Sequence, residues 1–194
     1  MQNRQIRSFI AIELPSDIRS KLDELQKELK QNKLQQIKWA NPSGIHLTLK
    51  FLGNIDAGDI DKITGAIRES CRGYKKFTLE LAELGVFPNY KRPRVIWLGV
   101  GGQMDILLKL QRQIDDKLEL IGFPREKRPF SPHITLGRVR DSITSNEQEQ
   151  YGGVIQNKKY NERHIISVSS VNLMRSQLQP TGAIYSEISS IKLE

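Results

Sequence analysis

The chain holds a single cysteine, Cys71, so no intramolecular disulfide can form, which fits a reducing cytoplasm. No apolar run approaches the roughly 20 residues that a membrane-spanning helix needs. The apolar stretch from Phe9 to Ile12 is short and meets Glu13, so it is not read as a secretory signal. No linker, low-complexity tract or domain boundary interrupts the sequence, and its 194 residues fit one domain over 1–194 with a sizeable core. Histidine is nearly as scarce as cysteine, with His46, His133 and His164 the only three. Acidic residues are outnumbered: the net charge is +8 and the pI about 9.6, a balance that suits a polyanion, most simply RNA.

Against these absences the hydrophobic pattern is plain. Arg7 to Leu14 reads as a strand, and Pro15-Ser16-Asp17 opens a helix with Ser16 as its cap, running to about Gln31 with Ile18, Leu22, Leu25 and Leu29 on one stripe. Ile37 to Trp39 is a short strand, and Asn41-Pro42-Ser43-Gly44 is a turn. Helices are predicted over 56–71 and 104–120, with strands over 77–84, 95–100, 168–176 and 183–192. Gln179-Pro180-Thr181-Gly182 joins the last two. A helix over 145–158 is interrupted on paper by Gly152-Gly153. The class is α+β.

Two of the three histidines sit in the same tetrapeptide: His46-Leu47-Thr48-Leu49 and His133-Ile134-Thr135-Leu136. Both segments read as strands, the first ending at Gly53-Asn54. Side chains alternate faces on a strand, so His46 shares a face with Thr48, and His133 with Thr135. Same-face neighbours lie roughly 6.6 Å apart, close enough for an imidazole and a hydroxyl to touch one phosphate. An imidazole titrates near pH 6.5, so a neutral ring can take a proton from water while a charged one gives a proton to a leaving oxygen. The threonine hydroxyls can donate to non-bridging oxygens. This scheme needs no metal, no cofactor and no nucleophilic side chain. One His-x-Thr alone is most simply structural; two copies with matching apolar flanks point to a duplicated half-site. Two histidines without further ligands at metal spacing make a poor zinc set.

By parity Lys50 shares the face of His46 and adds charge near phosphate, unless it is an ordinary solvated lysine. Arg138 is off-parity from His133, and Gly137 offers a bulge that brings it round. Phe9 lies on the polar side of its strand as a candidate for base stacking. The loop from Gly85 to Arg94 combines aromatics and cations suited to RNA. The loop Gly122 to Pro129 is basic through Arg125, Lys127 and Arg128. Trp39, Cys71 and His164 are read as structural.

The paired motifs resemble those of the two-histidine phosphoesterase superfamily, in its bacterial and archaeal branch of RNA 2′,3′-cyclic phosphodiesterases, also called 2′-5′ RNA ligases. Arg7 to Ile12 is similar to that branch's opening strand, His46 to Gly53 to its first motif with a Phe-Leu-Gly tail, Pro93 to Val100 to its central strand, and Pro132 to Arg138 to its second motif. The resemblance covers about 7–140, and more loosely the remainder. It implies two pseudo-symmetric lobes, each a small, mostly antiparallel sheet backed by helices, with the active-site cleft between them. It also implies metal-independent opening of a 2′,3′-cyclic phosphate at an RNA 3′ end to leave a 2′-phosphate, with 2′-5′ ligation as the reverse step. The branch pattern makes His46 the proton donor and His133 the acceptor, with Thr48, Thr135 and Arg138 on phosphate. The residues themselves leave donor and acceptor open. A phosphodiesterase for 2′-5′ oligonucleotides or small cyclic nucleotides would carry the same site, and a non-catalytic RNA-binding module is the third reading. The expected partner is RNA with a cyclic phosphate end, tRNA fragments among the candidates, met by a monomer without membrane contact.

Overall fold

The computed structural model describes residues 5–32, 34–180 and 182–194. Thr181 of the expected turn lies outside them. The described strands, β1 (Gln5–Glu13), β2 (Ile37–Trp39), β3 (His46–Asp56), β4 (Phe77–Phe87), β5 (Val95–Gly102), β6 (His133–Val139), β7 (Ile165–Val168), β8 (Ser170–Gln179) and β9 (Gly182–Lys192), make a single antiparallel sheet. Its order is β7-β4-β5-β6-β3-β1-β8-β9, with β2 paired to β6. The described helices are α1 (Ser16–Lys30), α2 (Ile60–Cys71), α3 (Met104–Glu119) and α4 (Ser145–Asn157).

The sheet has a narrow waist. Half of it is β3-β1-β8-β9 and half is β6-β5-β4-β7, and the two join at a single registered pair, Leu47 with Ile134. The α+β class and the two halves are as the sequence predicts. The halves are not separate sheets, however, because the motif strands themselves pair.

One face of the sheet is covered by helices. Ile10 and Ile12 of β1, Leu47 and Leu49 of β3, Ile96 and Leu98 of β5, and Ile134 and Leu136 of β6 pack into one core with Leu22 and Leu29 of α1, Ile63 and Ile67 of α2, and Leu110 and Ile114 of α3. Each such side chain contributes about 1.5–3 kcal/mol of burial. Two helix side chains also bind the motif strands: Gln26 Nε2 donates to the Leu136 carbonyl (2.9 Å), and Gln111 Nε2 to that of Leu49 (3.4 Å). The other face carries a small apolar group of Phe9, Ala11 and Met174. This second face holds the candidate site.

Several boundaries differ from the sequence reading for local reasons. Ser16 is the first helical residue rather than the cap; Pro15 occupies the cap position and no side chain caps the end. The second helix starts at Ile60, after a 3-10 turn in which the Asp56 carboxylate accepts from the Gly58 N–H (3.1 Å). β3 continues past Gly53, which takes φ +71°, to Asp56. α4 is unbroken through its glycines and opens on a Thr144–Glu147 capping box. Gly152 lies under the Tyr90 carbonyl, where a Cβ would fall 1.7 Å from the oxygen. Among the described residues no helix is long and apolar enough to cross a membrane.

Candidate active site

The Leu47–Ile134 pair sets the geometry of both motifs. Its side chains point to the helices, so the flanking residues His46, Thr48, His133 and Thr135 point together to the opposite face. An antiparallel register sets His46 across from Thr135 and Thr48 across from His133. The two imidazoles are then diagonal neighbours, with roughly 7–8 Å between such positions in a regular ladder. One phosphoryl group fits between rings so placed.

Each imidazole is tied in the same way. His46 Nδ1 lies 2.8 Å from the Gly44 carbonyl, and His133 Nδ1 lies 2.7 Å from that of Ser131, in both cases two residues back in the chain. A carbonyl only accepts, so Nδ1 carries the proton in both rings. Among the described residues Nε2 of neither ring has a hydrogen-bond partner, which leaves it able to act as a base when the ring is neutral and as an acid when it is charged. The 3-10 turn Pro42–Gly44, capped by Asn41, presents the Gly44 carbonyl; Ser131-Pro132 presents the other.

Aromatic rings complete each setting. His46 stacks on Phe9 (centroids 4.5 Å, planes 25° apart) and meets the edge of Tyr185 at 5.0 Å. His133 meets Phe87 edge-on at 5.0 Å, with Trp97 at 6.4 Å. Burial lowers the pKa of His46 from its ordinary value, while the hydrogen bond to Gly44 and the charge of Glu13 pull the other way. Glu13 is the cross-strand partner of His46 in β1. It accepts from Asn172 Nδ2 (2.9 Å), and Asn172 Oδ1 in turn accepts from Ser190 Oγ (2.9 Å). Asn172 is only 2% exposed.

A bulge follows each motif, and in both it falls on the motif leucine. In β3, Thr48 pairs with Ala11 and Lys50 with Ile10, so Leu49 is the extra residue. In β6, Thr135 pairs with Trp97 and Gly137 with Ile96, so Leu136 is the extra residue. A bulge reverses the facing of every residue beyond it. Lys50 therefore does not share the face of His46, contrary to the parity argument. It turns inward, 3% exposed, pairs with Asp115 of α3 and donates to the Pro124 carbonyl (2.8 Å). The residue that emerges beside His46 is Phe51. In the second motif the same reversal turns Gly137 inward and Arg138 outward, exposed, across from Val95 on one side and Lys38 on the other.

Phe9 is on the predicted face but is 3% exposed, its ring occupied by His46 and Tyr185, so it offers no surface to a base. Phe87 of the predicted RNA loop belongs instead to β4 and packs on His133. His164 pairs with Glu162 (2.7 Å) at the far edge of the sheet. Sequence reasoning did not single out Glu13, Asn172, Tyr185, Trp97 or Lys38 for the site. They come from five different strands, and only strand alternation, with no way to say which face, marked them beforehand.

Two imidazoles and two hydroxyls on one face are groups that could carry acid–base chemistry on a phosphoryl group. The chain belongs to the LigT-like phosphoesterase family, whose model matches residues 12–97 and 99–185, one motif histidine in each stretch. It is 34% identical to the RNA 2′,3′-cyclic phosphodiesterase of Methanothermobacter thermautotrophicus over 97% of this chain and all of that protein. It is 30% identical to the enzyme of the same name from Thermotoga maritima, over 97% of this chain and 96% of that one. Among solved structures, a Thermus thermophilus protein superposes with a TM-score of 0.81 at 26% identity, over 97% of this chain and 98% of that one. E. coli LigT complexed with 3′-AMP shares the fold, with a TM-score of 0.78 at 24% identity, over 98% of this chain and 99% of that one.

Proposed function

We propose that the protein hydrolyses the 2′,3′-cyclic phosphate at an RNA 3′ end, acting through the whole chain, 1–194, as one bilobal domain. The observation that carries this reading is the shared facing of the two His-x-Thr pairs, each ring held at Nδ1 and, among the described residues, free at Nε2. It is supported by the relatives that bear this activity in their names.

The cyclic phosphate sits between the rings. His133 Nε2 takes a proton from water, whose oxygen bonds to phosphorus. The P–O3′ bond breaks, and His46 Nε2 gives its proton to O3′. The products are a 3′-hydroxyl and a 2′-phosphate, and each ring ends in the other's starting state. The hydroxyls of Thr48 and Thr135 and the guanidinium of Arg138 donate to the non-bridging oxygens, where charge builds. Burial disfavours the charged form of His46, and an anionic phosphate beside it favours the proton that the donor role requires. A 5′-hydroxyl that takes the place of water in the same sequence is joined to phosphorus as a 2′-5′ link when the P–O3′ bond breaks; in water the hydrolytic outcome dominates. The protein works as a monomer in the cytoplasm, with tRNA fragments among its substrates.

The test is an oligoribonucleotide ending in a 2′,3′-cyclic phosphate, followed by assignment of the hydroxyl that keeps phosphorus. Phosphorus on O2′ is expected. Phosphorus on O3′ would reverse the bond assignment, and the absence of turnover would sink the reading.

A further inference from the structure

Beside the first motif lies a groove of about 440 Å3 that the reaction itself does not use. One wall is the end of the motif strand, Lys50 to Leu52; the other is the loop 123–128, which leads into the second motif. Phe51 stands on this wall with 61% of its surface exposed, an unusual exposure for phenylalanine in a paired strand. Its ring lies 6.3 Å from Phe9, which stacks on His46, so the groove opens directly beside the proton donor.

The opposite wall is held in place. Buried Lys50 donates to the Pro124 carbonyl and pairs with Asp115, and Arg125 is clamped by Asp116 (3.0 Å) and Glu119 (2.9 Å). Lys127 and Arg128 are exposed and have no ion-pair partner among the described residues. An exposed aromatic face opposite free cations is the chemistry that holds single-stranded nucleic acid: bases stack and phosphates are neutralised, without need of a particular sequence.

We propose that this groove binds the RNA segment immediately 5′ of the reacting end, with a base on Phe51 and backbone phosphates on Lys127 and Arg128. The proposal rests on the phosphodiesterase reading and adds a preference to it. A cyclic mononucleotide has no such segment, so the groove makes the enzyme selective for polynucleotide ends. Lys50 serves this surface indirectly, as the anchor of its outer wall.

The experiment compares kcat/KM for an oligoribonucleotide ending in a 2′,3′-cyclic phosphate with that for a 2′,3′-cyclic mononucleotide. It uses the wild type, Phe51→Ala, the double variant Lys127→Ser/Arg128→Ser, and Lys38→Ser. Binding of an uncleavable oligoribonucleotide ending in a 2′-phosphate is measured alongside, by fluorescence anisotropy. Phe51→Ala should lower oligonucleotide kcat/KM and binding about tenfold, the scale of one lost base stack. The double variant should flatten the salt dependence of oligonucleotide binding by about one to two phosphate contacts. Mononucleotide turnover should stay within about twofold in both variants. Equal losses on both substrates, no loss on either, or a loss confined to Lys38→Ser would overturn the proposal. If the wild type turned over neither substrate yet lost RNA binding in the groove variants, the groove would stand and the catalytic reading would fall.

Discussion

The two halves of the site use the same backbone and different chemistry. In both, a carbonyl two residues back holds Nδ1 of the imidazole, and the motif leucine bulges out of the ladder. In both, the next residue turns inward and the one after it outward. In the first half the inward residue is Lys50, which reaches Asp115 and Pro124, and the outward residue is Phe51. In the second the inward residue is Gly137, where a Cβ would fall 2.7 Å from Ile37 Cγ2, and the outward residue is Arg138. One half therefore presents an apolar surface beside a sheltered imidazole, and the other presents a cation. The two halves each place an imidazole at matched geometry; the residues after each bulge give the halves different surfaces.

The strongest way to break this comparison is to remove a carrier. His46→Ala and His133→Ala should each lower kcat on cyclic-phosphate-ended RNA by about 10²–10⁴-fold, and the double variant should be little worse than either, as for groups that act in one step. A variant that kept more than about a tenth of wild-type turnover would remove its histidine from the mechanism.

Next in size is the effect of the inward lysine. Removing one partner of a buried pair costs about 3–5 kcal/mol, so Lys50→Met should lower the denaturation midpoint markedly, while kcat at temperatures where the variant is folded falls only a few-fold. Normal stability with lost turnover would return Lys50 to the phosphate. Arg138→Ala, its counterpart in neither facing nor role, should leave stability unchanged and lower kcat/KM about 10–100-fold, the worth of a charge-assisted hydrogen bond of roughly 1.5–3 kcal/mol.

A smaller effect sharpens the division of labour between the rings. The pH profile of kcat/KM should be bell-shaped, because one imidazole must be charged and the other neutral. Burial lowers the pKa of His46, so the limb that this ring sets should lie at a lower pH than an ordinary histidine would dictate. Glu13 raises that pKa, so Glu13→Gln should move the limb further toward acid pH. An unmoved profile would remove Glu13 from the setting of that ring. The least effect expected is that of EDTA: turnover should be unchanged, and a loss restored by zinc or magnesium would replace the two-histidine scheme with a metal one.

Much of this was readable beforehand because it is local. Strands and helices follow from apolar period, and a repeated His-x-Thr-Leu in a chain with three histidines declares its own pairing. The misplacement of Lys50 and the availability claimed for Phe9 have separate causes, both of them long-range. Parity counts residues along one strand, whereas facing depends on the partner strand's register, which β1 sets by pairing Thr48 with Ala11 and Lys50 with Ile10. Whether an aromatic is free or covered depends on rings far away in the chain, here Tyr185 against Phe9.

The amino-acid order alone determined which groups are candidates for the chemistry, that they come as two like sets on strands, and that no intramolecular disulfide assists them, since each of these is a matter of residue type and short-range period. The tertiary structure decided that both sets share a face, that Nε2 is the free nitrogen, that Glu13 and Tyr185 attend His46, and that a lysine beside the motif points into the core. Those outcomes turn on contacts between residues distant in sequence, where a one-residue slip in register sends a side chain to the other side of the sheet.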